Sequence, residues 1–407
     1  MRVKTRRPNH NKIKLKKKTR TKRENKRERE RRTRKHPIIS RGGKVLGSGG
    51  FGCVLSPELK CDEKDLNTGL GLSTRNLISK IMLKRNAVEE YKDIQKYKDI
   101  IHKIPNYNKY FIIDNISICA PKKLEPTDLV DYTEKCYALM SKNITAATVN
   151  SNLNKLAIIN QPNGGIEIDD YITANYLNIV NLKKMNRSLI NLLLRGIIPM
   201  NKLGLYQLDI KGSNILYDGI NSRIIDWGLS VYLSSNISSL NSQQITEISH
   251  RPLHFNLPYS IVIFHSHFIQ KYEKFLTFSK PTGPKIHAFT LDYLTKLSES
   301  ENGDYITNII SDISVLFDGK FTINTIATYI SGILIEFKDN LDSYFPIFLK
   351  NVDVFGFVIS YLSFIDNMSK YKQKNPFIPH IKSAFEIIFK YNTRPINIKE
   401  LLSVLSF

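Results

Sequence analysis

The fold is decided by Gly47-Ser48-Gly49-Gly50-Phe51-Gly52-Cys53-Val54, read together with Asp209-Ile210-Lys211-Gly212-Ser213-Asn214 far downstream. The first stretch has the spacing of a glycine-rich hairpin. Glycines leave backbone N–H groups unobstructed, so a phosphate chain can approach them closely. The second stretch brings a carboxylate, an ammonium and an amide together, and Asp226-Trp227-Gly228 follows at the distance expected of a metal-binding Asp. Their order and spacing predict phosphoryl transfer.

The glycine stretch has competing interpretations. An extended run follows it, whereas a dinucleotide-binding fingerprint would open a helix. A Walker A loop is excluded because no Lys-Ser or Lys-Thr follows the last glycine. A tight hairpin with a purely structural role stays open as the alternative.

Charge is concentrated in the N-terminal tail. Residues 1–36 carry 19 Lys or Arg and three acidic residues, about +16 of the +23 total. Such dense like charge predicts a disordered tail, either a solubility segment or a nonspecific contact for nucleic acid or another polyanion. The absence of interleaved aromatics argues against base stacking.

The rest of the 407-residue chain has the composition of a protein with real cores, since 42% of all residues are apolar. Four scattered cysteines without a CxxC pair predict reduced thiols, with neither a zinc site nor a disulfide framework. The basic N-terminus does not read as a signal peptide, and apolar runs such as Tyr259–Phe264 are too short to span a bilayer. The expected protein is soluble and cytoplasmic, and its tail is compatible with a nuclear address.

Periodicity predicts a small β-rich part followed by a larger helical part. Short extended runs flank the glycine turn, and the pattern continues with a strand at 77–82, a helix at 85–101 and strand candidates at 110–118 and 155–159. Gln161-Pro162-Asn163-Gly164-Gly165 reads as a linker. Helices are expected at 166–173 and 176–194. A further helical insertion is expected at about 281–346.

Six residues are candidates for the chemistry. Lys80 lies in an apolar strand, where a cation needs a partner. We favour Glu90 over Glu89 as that partner because it borders the apolar face of the helix. Solvent exposure of the lysine tip is the alternative. Asp209 could accept a hydroxyl proton and Lys211 could stabilise the transferred phosphoryl group. Asn214 and Asp226 would hold Mg²⁺.

On these motifs the chain resembles the eukaryotic-type protein kinase superfamily over roughly residues 43–407, with a composition similar to kinases of large DNA viruses. The resemblance implies an α+β, bilobal protein-kinase-like fold, divided into a basic tail at 1–36, an N-lobe at 37–162 and a C-lobe at 163–407. It implies ATP and Mg²⁺ as cofactors and a protein substrate. It also implies that the nucleotide-binding loop consists of Leu46, Gly47, Ser48, Gly49, Gly50, Phe51, Gly52, Cys53 and Val54.

Further residues extend the resemblance. An adenine-binding hinge is implied around Ile159–Asn163, and Lys80, Glu90, Asp209 and Lys211 take catalytic roles. Lys211 resembles the serine/threonine branch. Asp353 resembles the residue that supports the catalytic loop, and Thr393-Arg394-Pro395 resembles the family's late arginine motif. If the protein is viral, the host cytoplasm or the virion is its expected location.

The chain departs from the family pattern in three places. Gln207-Leu208 precedes Asp209 where the family has His-Arg, Trp227 replaces the usual Phe, and Leu257-Pro258-Tyr259 stands where Ala-Pro-Glu is expected. These differences leave two alternatives open, a pseudokinase or scaffold that binds ATP without efficient turnover and a kinase-like enzyme acting on a small molecule.

Overall fold

The computed structural model describes residues 44–62, 76–233, 248, 254–278, 281–299, 304–338, 340–368, 370–371 and 375–407. Gly43–Phe407 form one compact unit. The described part is mixed α+β, with a small antiparallel sheet N-terminal to a helical region. The basic tail predicted at 1–36 lies outside the described residues.

Five antiparallel strands form the N-terminal sheet in the order β1-β2-β3-β5-β4. Their bounds are β1 Lys44–Ser48, β2 Gly52–Ser56, β3 Leu77–Leu83, β4 Ser117–Cys119 and β5 Leu156–Pro162. The predicted hairpin and the strands at 77–82 and 155–159 are confirmed. The run predicted at 110–118 is wrong except at its end, because Asn115 adopts a left-handed conformation and Phe111 bridges Ile224 outside this sheet.

Helix α1, Lys84–Ile101, begins directly after β3 and confirms the helix predicted at 85–101. Its buried side chains Ala87, Ile94, Tyr97 and Ile101 recur at helical spacing and join the main core. The direct strand-to-helix connection leaves Lys80 and Glu90 on adjacent elements.

Several helices and one short strand follow before the C-terminal helical region. These are α2 Tyr132–Lys135, α3 Tyr137–Met140, β6 Ile166–Glu167, α4 Ile168–Asn175, α5 Ile179–Leu192, the π-helical turn Leu193–Ile197 and α6 Ile198–Lys202. The helices predicted at 166–173 and 176–194 therefore exist with shifted starts. The first starts later because Ile166 and Glu167 pair with Tyr217 and Leu216 as a short strand.

The middle of the chain contains four short strands, β7 Leu205–Tyr206, β8 Ile215–Tyr217, β9 Ser222–Ile224 and β10 Val231–Tyr232. The α-helices described in the rest of the chain are α7 Ser266–Phe278, α8 Gly283–Ser298, α9 Asp304–Ser314, α10 Ile323–Glu336, α11 Phe345–Ile359, α12 Leu362–Asp366, α13 Ile378–Lys390 and α14 Ile398–Leu405. The described residues of the segment at 281–346 are largely helical, as predicted.

Within the part of the chain that the structure describes, one stretch, Leu341–Asp366, is long and apolar enough to cross a membrane by length and composition, and an 18-residue window in it has a mean hydropathy of 1.5. This stretch exceeds the short apolar runs, such as Tyr259–Phe264, on which the expectation of no membrane span was based. In the fold 83% of that window is buried inside the protein, where α11 contributes residues such as Phe348, Val352 and Phe355 to the main core.

The cysteines correct the prediction of reduced thiols. Cys53 forms a disulfide with Cys136, and Cys61 forms one with Cys119. These partners are 83 and 58 residues apart in the chain, so their pairing follows from tertiary packing and leaves no local spacing signal. The first bridge joins β2 to the residue between α2 and α3.

Candidate active site

The glycine hairpin forms the roof of a cleft. A Cβ added at Gly47, Gly49 or Gly50 would meet no other atom within 4 Å outside its chain neighbours, so the hairpin is sterically open at these positions. Gly52 differs, because a Cβ there would lie 2.6 Å from the carbonyl oxygen of Ile81. Its lack of a side chain is needed for packing β2 onto β3, a role that the glycine spacing alone does not indicate.

Successive side chains of β2 point to opposite faces of the sheet. Val54 lines the cleft, whereas Cys53 and Leu55 point into a smaller core behind the hairpin. Cys53 is fully buried and bonded to Cys136, so it does not face the cleft as the predicted nucleotide loop implied. Phe51, at the hairpin tip, is 66% exposed and is also absent from the described cleft wall.

Lys80 and Glu90 form an ion pair beneath the hairpin. The Lys80 Nζ lies 2.7 and 2.9 Å from the two carboxylate oxygens of Glu90. Both side chains are about 15% exposed, which distinguishes them from Arg85 and Glu89, whose pair lies on the outer surface. Burial raises the pKa of Glu90, and the nearby Lys80 opposes that shift. The structure thus pairs the lysine with the predicted acid.

Three side chains hold the Asp209 carboxylate. Lys211 Nζ lies 3.0 and 3.1 Å from its oxygens, and Asn214 Nδ2 donates to Oδ2 at 2.8 Å. Asn256 Nδ2 donates to Oδ1 at 2.9 Å. Asn256 lies 47 residues downstream, and the sequence analysis did not identify it, because no local spacing connects it to Asp209. These donors define the direction of the carboxylate.

Asp353 supports the backbone of the same loop from below. Its oxygens accept hydrogen bonds of 2.9 Å from the N–H groups of Gln207 and Leu208. These bonds hold Leu208 in a left-handed conformation, with φ of 60°. Asp353 is 1% exposed, and burial raises the pKa of its carboxyl to about 6 although the two backbone donors lower it.

Gln207 joins two parts of the site, a role that the sequence analysis missed. Its Nε2 donates to the carbonyl oxygen of Asp226 at 2.7 Å, and its Oε1 accepts from the backbone N–H of Asp209 at the same distance. One neutral side chain therefore fixes the spacing between the two candidate acidic residues. In the sequence, the only indication of this role is that Gln207 is a polar residue inside the apolar run Leu203–Leu208.

Asp226 follows β9 in a left-handed conformation, with φ of 64°. The next residue, Trp227, is 1% exposed and packs against Phe111 and Tyr97, with ring centroids 5.7 and 6.3 Å away. Anchoring the indole in the core leaves Asp226 at the cleft wall, close enough to Glu90 to raise the pKa of that carboxyl further.

The cleft has a volume of about 570 Å³, within the range of small-molecule sites. It brings together eleven of the predicted site residues, namely Leu46, Gly47, Ser48, Gly49, Gly50, Val54, Lys80, Glu90, Lys211, Asn214 and Asp226. Gln161 and Asn163 from the predicted hinge also line it. Phe51, Gly52, Cys53 and Asp209 are not among the described lining residues.

An acidic group at the cleft mouth was not predicted. Glu167 and Asp170 line the cleft, and Asp169 lies beside them. Surrounding protein, together with those two carboxylates, raises the pKa of Glu167 to about 7. The signal was present in the sequence, since Glu167-Ile168-Asp169-Asp170 directly follows the Gly164-Gly165 break.

The described residues contain no group of three or more His, Cys, Asp or Glu able to hold a metal ion. Neither a protein-family model nor a curated protein matches this chain. Asn214 and Asp226, an amide and a carboxylate at one cleft, are a donor pair suited to a hard cation that keeps most of its ligands from water or phosphate.

Proposed function

We propose that this protein is a Mg·ATP-dependent serine/threonine protein kinase that transfers the γ-phosphate of ATP to protein hydroxyls. The proposal includes a bilobal fold whose N-lobe ends near residue 162 and whose C-lobe carries the insertion at about 281–346. A single observation carries it. The Lys80–Glu90 pair lines the same cleft as Asn214 and Asp226, under an open glycine hairpin.

Each part of the cleft contributes a distinct interaction with the nucleotide. The open backbone at Gly50 offers its N–H to a phosphate oxygen, whereas the Gly49 N–H donates to the Gly52 carbonyl oxygen at 2.9 Å. Lys80 offsets the negative charge of the phosphates while Glu90 holds its ammonium in place. Asp170, at the cleft mouth, offers a carboxylate to a sugar hydroxyl or a basic substrate group. Catalysis of this kind depends on positioning and charge stabilisation.

The proton and charge of the reaction are handled at the loop after β7. Asp209 accepts the proton of the attacking hydroxyl, and Asn214 and Asn256 keep its oxygens oriented. Lys211 neutralises charge on the transferred group. Asn214 and Asp226 would hold Mg²⁺, which supplies positive charge to the phosphate oxygens when bound. Because Asn214 Nδ2 is engaged with Asp209, its amide oxygen is the atom suited to the cation.

A second candidate is a pseudokinase or scaffold that binds ATP without efficient turnover. It is favoured by the full engagement of Asp209, whose oxygens accept from Lys211, Asn214 and Asn256. Gln207 in place of a family histidine favours it as well. A phosphoryl transferase acting on a small molecule is a third candidate, since the resemblance does not identify the acceptor.

The test is phosphate transfer from labelled ATP with Mg²⁺, offered to the protein itself and to generic basic and acidic protein substrates. Asp209→Asn should lower the rate by about 10²- to 10⁴-fold, because the general base is lost while the shape is kept. Asp292→Asn is the matched control, since Asp292 is 62% exposed on α8 and pairs only with Lys296 there.

Thermal unfolding with and without Mg·ATP separates the candidates. A ligand that binds only the native state raises stability by mass action. Stabilisation without transfer would support the pseudokinase. If Mg·ATP neither stabilises the protein nor supports transfer, both nucleotide-binding proposals are refuted. If Asp209→Asn leaves the transfer rate unchanged, the proposed base is refuted.

A further inference from the structure

A separate small cavity shares no described lining residue with the nucleotide cleft. Its volume is about 150 Å³, and its wall includes Lys109, Arg195, Ser188, Asn191, Asn221 and Ser222. Two cations, two hydroxyls and two amides therefore converge on one space. No Asp or Glu is among the residues that the structure describes in this wall.

A π-helical turn places one of the cations. Leu193–Ile197 interrupts the helix that runs from α5 into α6, and Arg195 lies at the centre of this turn. π-helical turns are rare and often occur at functional sites. Gly196 permits the approach to Tyr110, because a Cβ at this glycine would lie 2.9 Å from the Tyr110 Cβ. The cavity forms where this turn meets the 3₁₀ turn Tyr107–Lys109 and the β8–β9 turn.

Lys109 and Arg195 are both exposed to solvent, and their charges have no described counterion. Neither Lys109 nor Arg195 forms an ion pair within the described residues. The only acidic residue of the β8–β9 turn, Asp218, is already engaged. It accepts hydrogen bonds from the backbone of Ile220 and Asn221, and it pairs with Arg223 at 2.8 Å.

A buried hydroxyl provides a second, independent indication of a ligand. Ser222 is 1% exposed, and its Oγ has no hydrogen-bond partner among the described residues. Leaving such a group unsatisfied costs about 1–3 kcal/mol, so buried hydroxyls normally have a partner. Ser222 belongs to the cavity wall, and a side-chain rotation that turns its Oγ toward the cavity would let a bound oxygen supply that partner.

We propose that this cavity binds a phosphate group, either inorganic phosphate or a phosphomonoester. The charges of Lys109 and Arg195 match the charge of nearly −2 on such a group at neutral pH. A guanidinium suits paired phosphate oxygens, and the hydroxyls and amides can donate to the remaining ones. At about 150 Å³ the cavity is smaller than typical small-molecule sites and suits a phosphate group alone.

Isothermal titration of the full chain with inorganic phosphate and with O-phosphoserine tests this site, at constant ionic strength set with chloride. The double variant Lys109→Gln, Arg195→Gln should bind at least about tenfold more weakly, because charge-assisted hydrogen bonds are lost. Arg187→Gln is the matched control on the same helix, exposed and outside the cavity wall. Lys80→Ala weakens anion binding in the nucleotide cleft and should leave binding in the separate cavity unchanged.

The outcomes are distinct. Binding of both compounds that the double variant loses supports a phosphomonoester site, and binding of inorganic phosphate alone supports a free-anion site. No binding by the wild type, or equal binding by the double variant, overturns the proposal. Crystals soaked in tungstate add a direct observation. Anomalous density between Lys109 and Arg195 supports the site, whereas density confined to the cleft overturns it.

Discussion

Replacing Cys53 and Cys136 together by Ala removes the disulfide behind the glycine hairpin. Closing the full 83-residue loop would stabilise the fold by about 4.5 kcal/mol in the chain-entropy description. However, the nested Cys61–Cys119 bridge already closes 58 of those residues, which leaves about 25. For that length we expect the free energy of unfolding to fall by about 3.5 kcal/mol.

Alanine is the suitable replacement because both cysteines are fully buried, and serine would add an unpaired hydroxyl to the core. Other contacts should keep the hairpin in place. Ser48 Oγ accepts from the backbone N–H of Ala138 at 3.0 Å, and the Val45 N–H donates to the carbonyl of Val130 at 3.1 Å. The expected loss is therefore that of the cross-link alone.

Urea unfolding measures the effect through the fluorescence of Trp227, the only tryptophan in the chain and a buried one. Wild-type protein in a reducing buffer is the companion sample and should lose at least as much stability as the variant. A loss below about 1 kcal/mol in the variant would refute the loop argument. Four free thiols in the denatured, unreduced wild type would refute the disulfides themselves.

Three further predictions concern the loop after β7. The pKa of Asp353, raised to about 6, means that the folded state binds more protons than the unfolded state between about pH 4 and 6. Stability from this group should therefore fall by about 3 kcal/mol as the pH rises through that window, and urea unfolding of Asp353→Asn should show a flatter profile. Gly212→Ala would place a Cβ 2.0 Å from Asp169 Oδ1, so we expect the free energy of unfolding to fall by about 1–3 kcal/mol. The control Gly283→Ala should lose no stability, because the nearest atom to its Cβ is 3.5 Å away. Gln207→Ala removes two hydrogen bonds of 2.7 Å and should cost about 1–3 kcal/mol in unfolding free energy, whereas an unchanged urea midpoint would contradict that bridge.

Local pattern predicted much of the fold. The glycine hairpin, β3 and α1 were identifiable because alternation and helical periodicity are properties of neighbouring residues. The strand predicted at 110–118 is wrong because local pattern carries no information about distant contacts. Its apolar pattern suits a strand, but here the Ile112 N–H donates to the Ile224 carbonyl and the Ile224 N–H donates to the Tyr110 carbonyl, so Phe111 forms a bridge with Ile224 instead.

Local sequence pattern also predicted several residues of the candidate site. Lys80, Asp209, Asn214 and Asp226 were identified because a charged or amide group at the edge of an apolar run needs a reason. The preference for Glu90 rested on its position relative to the helix face, and the structure pairs it with Lys80. The phosphoryl-transfer function itself stays a prediction.

By itself the sequence determined the order of the elements and the kinds of functional group available at their ends. Only the tertiary structure decided which distant groups meet. Asp353 reaches the backbone of Gln207 across 146 residues, and Cys53 reaches Cys136 across 83. Spacing along the chain encodes local conformation, whereas such contacts depend on how whole faces of helices and strands pack together.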